Sequence, residues 1–170
     1  MFVIDEDNNG TTRKHPLSIN LGENEYGVVL DLMHPENCVN ITVNSEIADE
    51  VKSILDSPYD DQLIGNVRGN FFLCSGGSDF LQGNGGKDTY KIDKTCKSAT
   101  INNFDEGSDY DLLLWDCPSS SVALSNQSSD LKIVCSLGQS QIVFKQWFDS
   151  TQYQHVRIKT SDKPPISCSD

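Results

Sequence analysis

Between residues 61 and 90 an acid or its amide recurs every nine positions, each followed two residues later by a large apolar side chain. The four matches are Asp61-Gln62-Leu63, Asn70-Phe71-Phe72, Asp79-Phe80-Leu81 and Asp88-Thr89-Tyr90. Neither a 3.6-residue helical period nor a two-residue strand period produces such a rhythm. Seven of the chain's twelve glycines fall between Gly65 and Gly86, so the segments between the apolar residues are tight turns that expose their carbonyls. About three residues remain per strand, and the middle one, Leu63, Phe72, Leu81 or Tyr90, points inward. A fixed short period of this kind makes a stack of similar units, each too small to bury its own face.

The rest of the chain reads as strands and turns. FVI at 2–4, YGVVLDLM at 26–33 and VNITV at 39–43 precede the repeat; ATINNF, DYDLLLW, SSDLKIVC, QIVFKQWF and HVRIKT follow it. EIADEVKSILDS at 46–57 spaces Ile47, Val51, Ile54 and Leu55 as one short helix would, with a strand feeding the repeat as the competing reading. The fold class expected is all-β. Its parts are N-terminal strands over 1–56, the repeat over 57–97, a β-rich cap over 98–160 and a tail over 161–170, together one structural domain of 170 residues.

The glycine turns and spaced acids resemble the RTX, or haemolysin-type, nonapeptide repeat, most closely at CSGGSDFLQGNGGKDTYKI, residues 74–92. SPYDDQLIGN and SATINNFDEGSDYDLLLW are similar to the segments that flank such repeats. The resemblance implies a right-handed parallel β-roll with two nonapeptides per coil and calcium between stacked turns. It implies Asp61, Asn70, Asp79 and Asp88 as ligands, with the turn positions Gly76, Ser78, Gly85 and Lys87. Calcium suits such a set because it takes several hard oxygen ligands. If turns eighteen residues apart stack, Asp61/Asp79 forms the stronger site and Asn70/Asp88 the weaker, and Lys97 ends the first array. Arg68 and the glycine-free turn at Asp56–Asp61 depart from the pattern, as does Cys74, which points to a eukaryotic relative.

A net charge of −12 disfavours nucleic acid and anionic membrane surfaces and favours cations. No apolar run approaches a membrane span. Six cysteines without CxxC spacing suit disulfides of a secreted, extracellular chain, and the sequons at Asn9, Asn40 and Asn126 suit a glycoprotein. MFVIDEDNNG lacks an apolar signal core, so the expectation is a mature chain or an excised piece. Connectivity does not follow from sequence; local pairs Cys74–Cys96 and Cys117–Cys135, leaving Cys38 for Cys168, are expected.

Catalysis is not expected. His15, His34 and His155 stand alone, and no metalloprotease or nucleophile-elbow motif occurs. DEDNNG lacks the Glu of an EF-hand at its twelfth position, where Pro16 stands. Asp105, Asp109 and Asp111 read as an auxiliary calcium or solvated group, with Asp109 and Asp111 on one face; Trp115, Trp147, Phe144 and Phe148 read as cap core. The function expected is a calcium-binding module for adhesion or assembly in an extracellular matrix or multimer, its partners being itself or other matrix glycoproteins. The alternatives are the non-catalytic C-terminal part of a larger secreted enzyme or toxin, and a calcium-dependent glycan-binding module. Membrane insertion is not expected.

Overall fold

Each apolar residue of the nine-residue rhythm, Leu63, Phe72, Leu81 and Tyr90, is completely buried, and strand pairing explains why. A computed structural model describes residues 17–107, 109–137, 140–163 and 166–167. FVI at 2–4, the sequon at Asn9, DEDNNG, His15 and Cys168 lie outside the described residues.

The strands are Leu17–Asn20 (β1), Val29–Asp31 (β2), Val51–Leu55 (β3), Gln62–Ile64 (β4), Phe71–Cys74 (β5), Ser78–Gln82 (β6) and Thr89–Ile92 (β7). Then come Ser98–Asn102 (β8), Asp111–Trp115 (β9), Val122–Gln127 (β10), Asp130–Cys135 (β11), Gln141–Phe144 (β12), Val156–Lys159 (β13) and Ile166–Ser167 (β14). The fold is all-β. From β1 to β9 the chain alternates between two sheets, ordered β1-β3-β5-β7-β9-β13-β14 and β10-β11-β12-β8-β6-β4-β2.

Nine residues carry the chain from one sheet to the other, so eighteen bring it back one strand further along. Ser53 thus pairs with Phe71 and Phe71 with Thr89 in one sheet, while Gln62 pairs with Phe80 in the other, all in parallel. Parallel pairing is not confined to the repeat: β1 pairs with β3, and β9 with β13, in the same sense. Antiparallel pairs occur only toward the C-terminal end among the named strands, at β10–β11, β11–β12 and β13–β14.

Because parallel strands in register place like positions side by side, the inward residues form two columns. Ile54, Phe72, Tyr90 and Leu113 line one sheet; Leu30, Leu63, Leu81, Ile101 and Phe144 line the other. Both belong to one hydrophobic cluster, so the sheets pack face to face. Phe72 and Tyr90 stack with centroids 5.4 Å apart. The Tyr90 hydroxyl accepts the Gly83 N–H at 3.0 Å, which satisfies the buried tip of an otherwise apolar side chain.

The segment 46–57 resolves in favour of the strand. A helix covers only Ser45–Ala48, capped by Asn44, whose side chain accepts from the Ile47 N–H. Val51 and Ile54 then enter the core on β3, where pairing to β5 outweighs a helical spacing of apolar residues. The cap expectation holds for Trp115, Trp147 and Phe144, which are buried, and fails for Phe148, which is exposed. The Trp115 indole N–H donates to Ser140 Oγ. Both local disulfides are present, Cys74–Cys96 and Cys117–Cys135.

Candidate metal centre

The turns between strands bring the acids of the repeat to the two edges of the sandwich, all of them buried. Each repeat acid reaches back one strand. Asp61 Oδ1 accepts the Val28 N–H at 2.7 Å, Asp79 Oδ1 the Asp61 N–H at 2.9 Å, and Asp88 Oδ1 the Asn70 N–H at 2.7 Å. Asp111 Oδ1 completes the second edge by accepting the Asp88 N–H at 2.7 Å. One oxygen of each acid therefore ties successive turns together. What the second oxygen meets decides whether a cation fits.

On the first edge, carboxylate oxygens of Asp56, Asp61 and Asp79 lie within 4.8 Å of one another. Asp61 is well supplied, since Ser57 offers both its N–H and its hydroxyl. Asp56 accepts from Ser75 and from the Gly76 N–H. Asp79 Oδ2 is 2.9 Å from Cys74 Sγ, a disulfide sulfur without a proton to give. Burial, with Asp56, Asp61 and Asp60 nearby, raises the Asp79 carboxyl to about 8. Cys74 and Cys96 also approach Asp79, but their sulfurs are bonded to each other and supply no thiolate.

The second edge gathers Asp88, Asn103, Asp105 and Asp111, all buried. Here Asp88 Oδ2, Asp105 Oδ2 and both side-chain atoms of Asn103 have no hydrogen-bond partner. Burial, then the charge of Asp111, raises Asp88 to about 8; burial, then Asp105, raises Asp111 to about 7 against the Asp88 N–H that it accepts. Asn103 faces Asp111 closely enough to favour its charged form, yet closes no hydrogen bond. Among the described residues the ion pairs with carboxylates are made by His34, Arg68, Lys87, Lys91 and Lys145, and none reaches these buried acids. Buried carboxylates without a cation are costly, so oxygen-only clusters of this kind fit a hard divalent ion.

The structure rearranges several of the sequence expectations. The Asn70 side chain is engaged within the fold: Oδ1 accepts the Asn66 N–H and Nδ2 donates to the Val51 carbonyl, both at 2.9 Å. An aspartate there would lose that donor, which explains the amide in the rhythm. The turns bearing Gly76 and Ser78 stack on Pro58–Asp60, with the Ser78 N–H donating to Asp60 Oδ1. Those bearing Gly85 and Lys87 stack on Val67–Gly69, and Gly86, at φ +95, would clash with Gly69 if it carried a side chain. Lys87 Nζ turns outward to exposed Asp109 at 3.5 Å.

Lys97 is not the next position on the first edge. The spacing widens from eighteen to twenty, so Ala99 stands beside Asp79 and the array ends for lack of an oxygen ligand. On the second edge it widens to twenty-three, which brings Asp111 beside Asp88; a strict count of eighteen points to Glu106, which is exposed. Asp109 and Asp111 do not share an environment, the first being exposed and the second buried. Three carboxylates with oxygens within 4.8 Å of one another thus stand on the first edge, at Asp56, Asp61 and Asp79, while the second edge holds the unpartnered oxygens of Asp88, Asn103 and Asp105. Asp56 and Asn103 were not among the expected ligands, whereas Asp105 and Asp111 were read as an auxiliary calcium or solvated group. The acid-rich NNFDEGSDYD run was the signal for Asn103, obscured by the changed spacing, and Asp56 stood in the glycine-free turn at Asp56–Asp61.

The sequence matches no family model and no curated protein.

Proposed function

We propose that the chain is a calcium-stabilised module for binding or assembly outside the cell, built as a right-handed parallel β-roll of the RTX type and without catalysis of its own. The observation that carries the reading is the buried carboxylate group Asp56/Asp61/Asp79, whose oxygens lie within 4.8 Å of one another and which no described cationic side chain neutralises; the buried, unpartnered Asp88 Oδ2, Asp105 Oδ2 and Asn103 side chain support it on the second edge. The eighteen-residue parallel register supports the roll. The two disulfides fit an extracellular protein. No described helix is long and apolar enough to cross a membrane.

In this reading calcium replaces the protons that the isolated clusters hold near neutrality. Asp88 Oδ2, Asp105 Oδ2 and Asn103 Oδ1 supply the second-edge site, and Asp79 Oδ2 with Asp56 and Asp61 the first. Binding is then folding energy, because the unfolded chain has no such constellation. Calorimetric titration of chelator-treated protein at pH 7, in two buffers of different ionisation enthalpy, tests it. Calcium should bind with release of protons from groups raised to about 8, and magnesium should compete poorly because it demands tighter octahedral geometry. Absence of binding at millimolar calcium would remove the reading.

A further inference from the structure

β10 is an outermost strand of its sheet; it pairs with β11 alone and leaves its other edge open. The remaining outer strands are short or interrupted. β14 has two residues, β2 has three and is bridged at Val29 by Val39, and β1 has four with a register shift between Leu17 and Ser18. β10 instead runs for six residues, in unbroken register with β11 from Val122↔Cys135 to Gln127↔Asp130. Its sequence, Val-Ala-Leu-Ser-Asn-Gln, holds neither proline nor charge, the usual devices that keep such an edge from pairing with another chain. Leu124 is 64% exposed although Ile133 opposite it is fully buried, so no described residue covers that row.

Asn126 lies in the same row, opposite Leu131 and two positions, about 7 Å, along from Leu124. It heads the sequon Asn126-Gln127-Ser128, and both ends of that sequon are exposed. The fold explains neither end. Asparagine is depleted in strands, and among the described residues the Asn126 side chain is given no hydrogen bond. Ser128 opens the two-residue turn between β10 and β11 at φ 60, a conformation that favours glycine or asparagine and strains a serine. Its hydroxyl also bonds no described residue; the side-chain bond of that turn comes from Ser129, which donates to Asp130 Oδ1. The sequon at Asn40 differs. Asn40 stands at φ 63, where asparagine is favoured, and its Nδ2 donates to the Gly27 carbonyl at 2.7 Å, so the local backbone accounts for it.

We infer that Asn126 carries an N-linked oligosaccharide and that this sugar closes the open edge of β10 against other chains. The donor is an oligosaccharide held on a lipid pyrophosphate. Asn126 Nδ2 forms a bond to the anomeric carbon of that oligosaccharide, the bond from this carbon to the pyrophosphate oxygen breaks, the lipid pyrophosphate leaves, and Nδ2 gives up one proton. The Ser128 hydroxyl completes the acceptor motif. The product is a bulky, solubilising group. Rooted beside Leu124, it spreads over the uncovered row and the unpaired backbone groups, where an incoming strand would otherwise align. This inference rests on the extracellular part of the function proposed above and is separable from its calcium part.

The test uses the full chain secreted behind a cleavable leader from a glycosylating eukaryotic cell. Peptide mapping after glycosidase release in heavy-oxygen water should find Asn126 converted to labelled aspartate in most chains. Ser128→Gly, which removes the sequon while suiting the turn, should abolish that label without lowering the melting temperature. This variant and Asn126→Gln should then pass from monomer to larger, concentration-dependent species on size-exclusion chromatography, with solubility lowered severalfold. Adding Leu124→Lys to Ser128→Gly should restore the monomer, because a charge on the edge stands in for the sugar. A bare Asn126 would overturn the inference, and so would sugar-free variants that stay monomeric at every concentration. A label at Asn40 beside a bare Asn126 would show that the chain met the transferase and overturn the inference alone. A chain glycosylated at Asn126 that binds no calcium would uphold it while removing the calcium reading.

Discussion

Replacing Phe72 by alanine should destabilise the protein by about 3–5 kcal/mol, the range for truncating a fully buried aromatic ring. Phe72 is completely buried in the column between Ile54 and Tyr90, and its ring stacks on that of Tyr90. Its removal opens a cavity between layers held in register by backbone pairing, which cannot close over the gap. Phe71 is the control, since it is only half-buried and points to the opposite face. Phe71→Ala should cost a small fraction of that figure. Urea unfolding of both variants in saturating calcium checks the pair, and similar losses would mean that the register is displaced by one residue, which exchanges the two faces of every strand.

Asp88→Asn should have opposite effects with and without calcium. The variant keeps the Oδ1 that accepts the Asn70 N–H and removes the charge confronting Asp111 and Asp105. Asp88 is raised to about 8 in the folded chain, so folding holds a proton that the unfolded chain releases in the ordinary carboxylate range. The stability contributed by that proton is present at low pH, falls as pH rises between the two values and is lost above about 8. In chelator at pH 8.5 the asparagine variant should therefore melt higher than the wild type. In calcium it should melt lower, because the second-edge site loses its unpaired carboxylate oxygen. A filled site contributes about 2.7 kcal/mol when calcium exceeds its Kd a hundredfold, and most of that gain should vanish. Melting curves under the four conditions decide it; a variant that gains as much from calcium as the wild type places the ion elsewhere.

The columns of the core were legible because the side chains obey a local rule, one inward residue per nine, and parallel stacking turns that rule into contacts. Leu63, Phe72, Leu81 and Tyr90 needed no knowledge of distant partners. The site was less legible, because which acids share an ion depends on loop lengths between strands. Two extra residues before β8 put Ala99 beside Asp79, and five before β9 bring Asp111 to Asp88. The engagement of Asn70 was hidden for a different reason: a backbone carbonyl at Val51, presented by a strand that also reads as helix, takes its amide hydrogen.

The central claim, that the buried acid clusters hold calcium, is tested most directly by the melting temperature from pH 5 to pH 8.5 in millimolar calcium and in chelator. Without the ion, Asp79 and Asp88, each raised to about 8, should make the protein less stable as pH rises through that window. With the ion, the carboxylates are held ionised, protons compete only at low pH, and stability should rise with pH instead. The account predicts two curves that meet near pH 5 and diverge to their widest separation at pH 8.5. Curves that superimpose across the range would contradict it.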